Sequence, residues 1–294
     1  MIVVLGAGPA GLAAAYKLAT ERRVPVTVIE RQARVGGNAA SFVVDGIPVD
    51  FGSHRLHPAT PPGVMADIRR LVGDDLLDRP RHGRIRLRGR WVHFPLKAVD
   101  LVLHLPPSFV AGVLGDMIRK PFTGGAVEPS FGSILERGLG RTICRDFYFP
   151  YAEKIWGLRP EALDPEQARR RVGNSSLGKM IRKVASSVPG LKKPGAGRFF
   201  YPKQGFGQIC DAYARAAASA GATLLLNTTV TAVEASGGHV RHVRVHGDGD
   251  TRVLPATHVF STIPLPLLAT LVQDGRPQPL AAAAVLPQRA MVLV

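Results

Sequence analysis

Cysteine is almost absent from this chain: Cys144 and Cys210 are the only two in 294 residues, far apart and without CxxC spacing. That excludes a disulfide framework and a cysteine zinc site, and it points to a reducing compartment. Long apolar runs are also lacking. The best stretch, Leu101 to Leu114, is interrupted by His104 and the Pro106-Pro107 pair, whereas a membrane-spanning helix needs about 20 apolar residues. Peripheral contact with a bilayer is not excluded by this. The first strand-like run begins at residue 2, which leaves no room for a secretory leader. The expected location is therefore the cytoplasm, with membrane association as its one extension. Acidic residues are scarce, 22 against 38 Lys and Arg, for a formal charge of +16.

Arginine dominates the basic excess, with 29 residues against 9 lysines. It is also clustered: residues 79 to 90 hold six arginines, and residues 167 to 210 hold ten Lys or Arg without one acid. Nucleic acid is the first partner such charge suggests. No helix-turn-helix, zinc finger or RNA-binding aromatic motif accompanies it, so nucleic acid is not expected. A solvated basic surface, an anionic small-molecule substrate and an anionic lipid surface remain. Hydrophobic content of 46% marks a globular chain, and its length allows one or two domains.

What is present is concentrated in the first 38 residues. Ile2 to Leu5 is a short apolar strand, followed at once by Gly6-Ala7-Gly8-Pro9-Ala10-Gly11. Leu12, Ala15, Tyr16 and Ala19 then recur at helical spacing, and a second apolar run, Val26 to Ile29, ends at Glu30. Strand, glycine turn, helix, strand and acid together form a dinucleotide-binding unit. Gly6 suits a tight turn, Gly8 lets backbone approach a pyrophosphate, and Gly11 lets helix and sheet pack closely. Pro9 lacks an N–H, at a position where that donor would have no helical partner. The helix dipole and free N–H groups then favour an anion. Glu30 is placed for both ribose hydroxyls and disfavours a 2′-phosphate, against NADP. The unit alone leaves FAD and NAD open.

The following residues favour FAD. Glu30-Arg31-Gln-Ala-Arg34-Val35-Gly36-Gly37-Asn38 resembles the second fingerprint of the FAD-dependent amine oxidase superfamily. Val49-Asp50-Phe51-Gly52-Ser53-His54-Arg55 resembles its protoporphyrinogen oxidase and UDP-galactopyranose mutase branch, in which this segment runs beside the isoalloxazine ring. Tyr151-Ala152-Glu153-Lys154-Ile155-Trp156-Gly157 resembles a signature of the same branch whose Trp lies over the substrate. Gln167 to Val172 resembles its Ala-Gln-Arg segment, with Arg171 in register, and Arg198 to Gly207 resembles the return to the FAD domain.

The resemblance implies an α/β fold: a Rossmann-like, glutathione-reductase-like FAD-binding domain of residues 1–60 and 200–294, with an inserted mixed α+β substrate domain, 61–199. It implies FAD held by Gly6, Gly8, Pro9, Ala10, Gly11, Glu30, Arg31, Gly36, Gly37, Asn38, Gly52, Ser53, His54 and the Val230 backbone. It places His54, Arg55 and Trp156 near the reacting atoms and Arg171 as an anion clamp. The implied activity is hydride transfer from an organic substrate to flavin. The alternatives are a mutase using reduced flavin and a non-catalytic remnant. Proteins of this kind continue well beyond this length, so the chain is expected to be truncated, with Met291 to Val294 a strand lacking its neighbours.

Elsewhere the pattern is local. Ser41–Val44, Asp45-Gly46 and Ile47–Asp50 read as a hairpin, and Arg84 to Phe94 reads as a basic hairpin around Gly89. Ser130 to Phe149 reads as helix broken at Gly138 and Gly140. A helix is expected from Gln208 to Ala220, with strands at Thr223–Leu226, Val230–Val233, Val240–His246 and His258–Ile263. His239 faces away from His242 and His246 on such a strand, so no metal site is expected.

Overall fold

The computed structural model describes residues 1–93, 98–119, 130–172 and 197–274. The chain opens with β1 (Ile2–Leu5), α1 (Pro9–Lys17), β2 (Val26–Ile29), β3 (Ser41–Val44), β4 (Ile47–Asp50), α2 (Pro62–Val72) and β5 (Leu76–Pro80). Its middle holds β6 (Arg84–Leu87), β7 (Arg90–His93), α3 (Ala98–His104), α4 (Pro107–Arg119), α5 (Phe131–Leu139), α6 (Arg141–Ile143), α7 (Phe149–Trp156) and α8 (Pro165–Val172). It returns through β8 (Arg198–Pro202), α9 (Gly207–Ser219), β9 (Thr223–Leu225), β10 (Thr229–Ser236), β11 (His239–Gly247), β12 (Asp250–Pro255), β13 (His258–Ser261), α10 (Leu265–Leu271) and β14 (Val272–Gln273).

Two compact units result, residues 1–79 with 198–294, and residues 80–197. In the first, β13, β1, β2 and β9 form a parallel sheet in that order. Val3, Val4, Leu5, Val26, Val28 and Ile29 are all essentially inaccessible, as expected for parallel strands covered on both faces. Each such side chain contributes about 1.5–3 kcal/mol relative to exposure. Helix α1 starts at Pro9 and buries Gly11, Leu12, Ala15 and Tyr16 on this sheet. Tyr16 meets Tyr213 of α9 edge to face at 5.3 Å. A second, mostly antiparallel sheet runs β12, β11, β10, β14.

The first unit extends past residue 60, where the insert was expected to begin. Helix α2 puts Met65 and Ile68 into the same core as Tyr16 and Tyr213, and its buried Asp67 binds Lys17 at 2.7 Å. That contact raises the Lys17 ammonium pKa. The amphipathic face of α2 needs a partner, and α1 and α9 supply it.

The second unit has its own core, including Leu87, Val92, Phe109, Phe131, Leu135, Ile143 and Ala152. Helix α5 opens with a capping box between Ser130 and Ser133. It does not break at Gly138, which lies inside it; it ends at Gly140, with φ +88°. An interior helical glycine costs only about 1 kcal/mol against alanine, and buried Leu135 and Leu139 on the same helix offset that. Both cysteine thiols are buried and pushed up to about 12 by that burial, which removes them as nucleophiles. No helix among the described residues is long and apolar enough to cross a membrane. Met291 to Val294 lies outside the described residues.

Candidate cofactor site

Strand β1 is interior, with β2 on one side and β13 on the other. The chain leaving its carboxyl end therefore sits where strand order reverses, the position at which open α/β sheets bind ligands. Three glycines there have three different reasons. Gly6 has φ +96°, and its N–H donates to the Ile29 carbonyl at 2.8 Å. Gly11 is a packing glycine: a Cβ on it would lie 2.0 Å from the Gly6 carbonyl oxygen. Gly8 has φ −74° and ψ 178°, open to any residue, and a Cβ on it would meet nothing within 4 Å. Neither backbone nor packing asks for glycine at 8. What a side chain would fill there is open space at the start of α1.

That helix start has no side-chain cap, and Pro9 and Ala10 are exposed. The first-turn N–H groups of Ala10 and Gly11 have no helical carbonyl to meet. Thr262, just beyond β13, donates its hydroxyl to the Leu5 carbonyl at 2.9 Å and borders both Gly6 and Gly11. Nothing local in the sequence marks it as part of the turn.

Glu30 closes over the turn from the end of β2. Its carboxylate accepts the Ala7 N–H and the Gln32 N–H, each at 2.9 Å. A carboxylate offers about four acceptor positions, so both oxygens retain capacity. Arg31 beside it is exposed. The Glu30 carbonyl accepts the Thr228 N–H at 2.9 Å and the Gln32 carbonyl accepts the Asn227 N–H at 3.1 Å. These bonds seat the start of β10 next to the acid. Val230 stands two residues further on, where a register shift interrupts the pairing with β11.

The second glycine pair joins the first. Gly36 donates its N–H to the Ala7 carbonyl at 2.7 Å, and a Cβ on Gly37 would lie 3.5 Å from the Gly8 Cα. The next residue, Asn38, offers its carbonyl to His54 Nε2 at 2.8 Å. A carbonyl only accepts, so His54 Nε2 donates this bond. The Gly52 carbonyl accepts the His54 N–H at 2.9 Å, the imidazole stacks on Phe206 at 5.1 Å, and Ser53 is exposed. The Arg55 guanidinium stands 5.4 Å from the Phe199 ring centroid.

Asp50 fixes this corner. One carboxylate oxygen accepts the Ser41 hydroxyl at 2.6 Å and the Phe206 N–H at 2.9 Å; the other accepts the Tyr201 hydroxyl at 2.7 Å. The Ser41 oxygen in turn accepts the Gly207 N–H at 2.8 Å. Burial, followed by the Asp50 bond, pushes the Tyr201 phenol up to about 12. Asp50→Ala should therefore lower folding stability by about 2–4 kcal/mol, since it strands several donors at once. Urea unfolding measures it, and a change below about 0.5 kcal/mol, a typical neutral surface value, would remove Asp50 from this role. Sequence reading missed the cluster because its partners lie 151 and 156 residues apart.

Trp156 and Arg171 belong to the second unit. Trp156 ends α7, half-buried and packed with Phe147, Tyr148 and Phe149 against that unit's core; Arg171 lies in α8. Among the described residues no group of three or more His, Cys, Asp or Glu could hold a metal ion.

Residues 9–291 match the family of flavin containing amine oxidoreductases. A coproporphyrinogen III oxidase from Propionibacterium freudenreichii is 28% identical, over all of this chain and 62% of its own length. Protoporphyrinogen oxidase 2 of Arabidopsis thaliana is 25% identical over 68% of this chain and 44% of its own. The structure of reduced UDP-galactopyranose mutase superposes with a TM-score of 0.76 at 22% identity, covering 94% of this chain and 57% of that one. This chain thus spans less than two thirds of the length of these proteins. The residues around Gly8 fit a dinucleotide, because an open glycine Cβ position, uncapped N–H groups and a carboxylate with spare acceptors converge there. The chain belongs to the flavin containing amine oxidoreductase family, and its cofactor is FAD.

Proposed function

We propose that this chain carries the cofactor-binding part of an oxidoreductase acting on a small organic substrate. FAD, when bound, would supply the hydride acceptor for that substrate. The observation that carries the reading is Gly8, whose Cβ position is open space at the uncapped start of α1.

The chain's own residues divide the work. Gly6, Gly8, Pro9, Ala10 and Gly11 form the turn against the diphosphate, with the α1 dipole favouring negative charge. Glu30 would hold the ribose hydroxyls through its spare lone pairs, which also disfavours a 2′-phosphate. Arg31, Gly36, Gly37, Asn38, Gly52, Ser53 and His54 would hold the flavin side, and the Val230 backbone would hold the adenine. His54 and Arg55 stand at the reacting end, His54 held by its bond to the Asn38 carbonyl. Trp156 contributes a substrate surface, and Arg171 clamps an anionic group. The relatives named as coproporphyrinogen and protoporphyrinogen oxidases point to a porphyrinogen-like substrate, whose carboxylates suit the basic 167–210 tract.

Anaerobic mixing of the FAD-loaded chain with a porphyrinogen should bleach the flavin's visible absorption. Bleaching by an amine and not by a porphyrinogen would move the substrate class. No bleaching by either, together with tight UDP-galactopyranose binding to the dithionite-reduced protein, would replace the oxidoreductase reading with the mutase one.

A further inference from the structure

We propose that the outer face of the β6–β7 hairpin, with the adjoining end of α3, is a docking surface for an anionic lipid bilayer. The inference stands apart from the cofactor reading and uses residues of the second unit alone.

The hairpin is two-sided by register. Arg88 and Gly89, with φ +48° and +78°, make the tight turn. Ile85 pairs with Val92, Arg86 with Trp91, and Arg84 with His93. Leu87 and Val92 enter the core, and Ile85 packs against it. Alternation therefore puts Arg84, Arg86, Trp91 and His93 together on the other face. Trp91 is 61% exposed there, opposite Arg86. An indole is the largest apolar group a chain has to bury, and here it lies open between cations.

The local charges are not cancelled. Arg88 is used internally, pairing with Asp146 at 2.7 Å. Arg84, Arg86 and Arg90 have no ion-pair partner among the described residues. The nearby acid is consumed: Asp100 of α3 is nearly buried, accepts the His93 N–H at 2.6 Å, and lies 3.2 Å and 3.1 Å from the His93 and His104 imidazoles. This clamp ties α3 to β7, and α3 then presents Val102 and Leu103, 58% and 73% exposed.

Cations and an exposed indole on the hairpin's outer face, with exposed aliphatics on the helix that Asp100 ties to it, match the headgroup and acyl boundary of an anionic bilayer. Nucleic acid would use the arginines and the indole but gain little from Val102 and Leu103, because such interfaces are polar. With no helix among the described residues able to span a membrane, the contact is peripheral.

The test is sedimentation of the chain with sucrose-loaded vesicles of phosphatidylcholine alone or with one third phosphatidylglycerol. We expect binding to the anionic vesicles only, weakening with salt. Arg84→Gln with Arg86→Gln should lower partitioning roughly ten- to thirtyfold, at about one unit of charge attraction lost per arginine, and Trp91→Ser should lower it with the charge intact. Circular dichroism melting checks that these outer-face variants stay folded, and retained FAD absorption separates this question from the cofactor reading. Equal binding to neutral vesicles, unchanged partitioning of the folded variants, or tighter binding to a single-stranded oligonucleotide than to anionic vesicles at equal ionic strength would overturn the proposal.

Discussion

Gly11→Ala is expected to cost the chain about 3 kcal/mol of folding stability, a large share of the 5–15 kcal/mol typical of a folded domain. The added methyl would stand 2.0 Å from the Gly6 carbonyl oxygen, 3.2 Å from the Gly6 carbonyl carbon and 3.1 Å from Thr262 Oγ1. None of the three neighbours is free to move. Gly6 is tied to Ile29 by its N–H and to its own positive φ, and Thr262 is bonded to Leu5. Relief requires α1 to lift from the sheet, which would uncover Leu12 and Ala15, both fully buried. Urea unfolding of the FAD-free chain should show a lowered midpoint with little change in slope. A midpoint equal to the parent's would mean that helix and strand are less closely held than this packing requires.

Much of the first unit is legible in the sequence because its signals are local. The run Val26 to Ile29 is β-branched and unbroken, as a strand buried on both faces has to be. Asp45-Gly46 and Arg88-Gly89 both take the left-handed conformations of two-residue hairpin turns. Gly221, with φ +93°, closes α9 as the helix pattern requires. The α/β architecture followed from these pieces and from the family resemblance.

The rest was not legible because it depends on distant partners. Asp50 reads as the last residue of a hairpin; that it holds Ser41, Tyr201 and Phe206 is set by how the chain returns. Thr262 reads as the end of a strand, yet it fills the niche that two glycines create. Residues 61–199, α2 among them, read as an insert in which Pro and Gly recur. The amphipathic face of α2 packs with α1 and α9 in the first unit's core, a contact no local pattern marks. Gly138 shows the reverse error, a breaker overruled by the packing of its neighbours.

The most direct test of the cofactor site is Gly8→Ala, with FAD affinity and FAD-free stability measured on the same protein. Glu30→Ala is less clean, because it also releases the Ala7 and Gln32 N–H groups. At Gly8 the two effects separate. The alanine conformation is allowed and its methyl meets no protein atom within 4 Å. Lower unfolded-state entropy favours the variant by about 0.4–1 kcal/mol, and the poorer N-cap takes back a similar amount. Stability without FAD should thus stay within about 1 kcal/mol of the parent. A methyl aimed into the ligand's space should meanwhile weaken FAD about ten- to hundredfold, the equivalent of overpacking a tight contact by about 1–3 kcal/mol. Unchanged stability with weakened FAD is the result this account predicts; unchanged FAD affinity in the stable variant would contradict it.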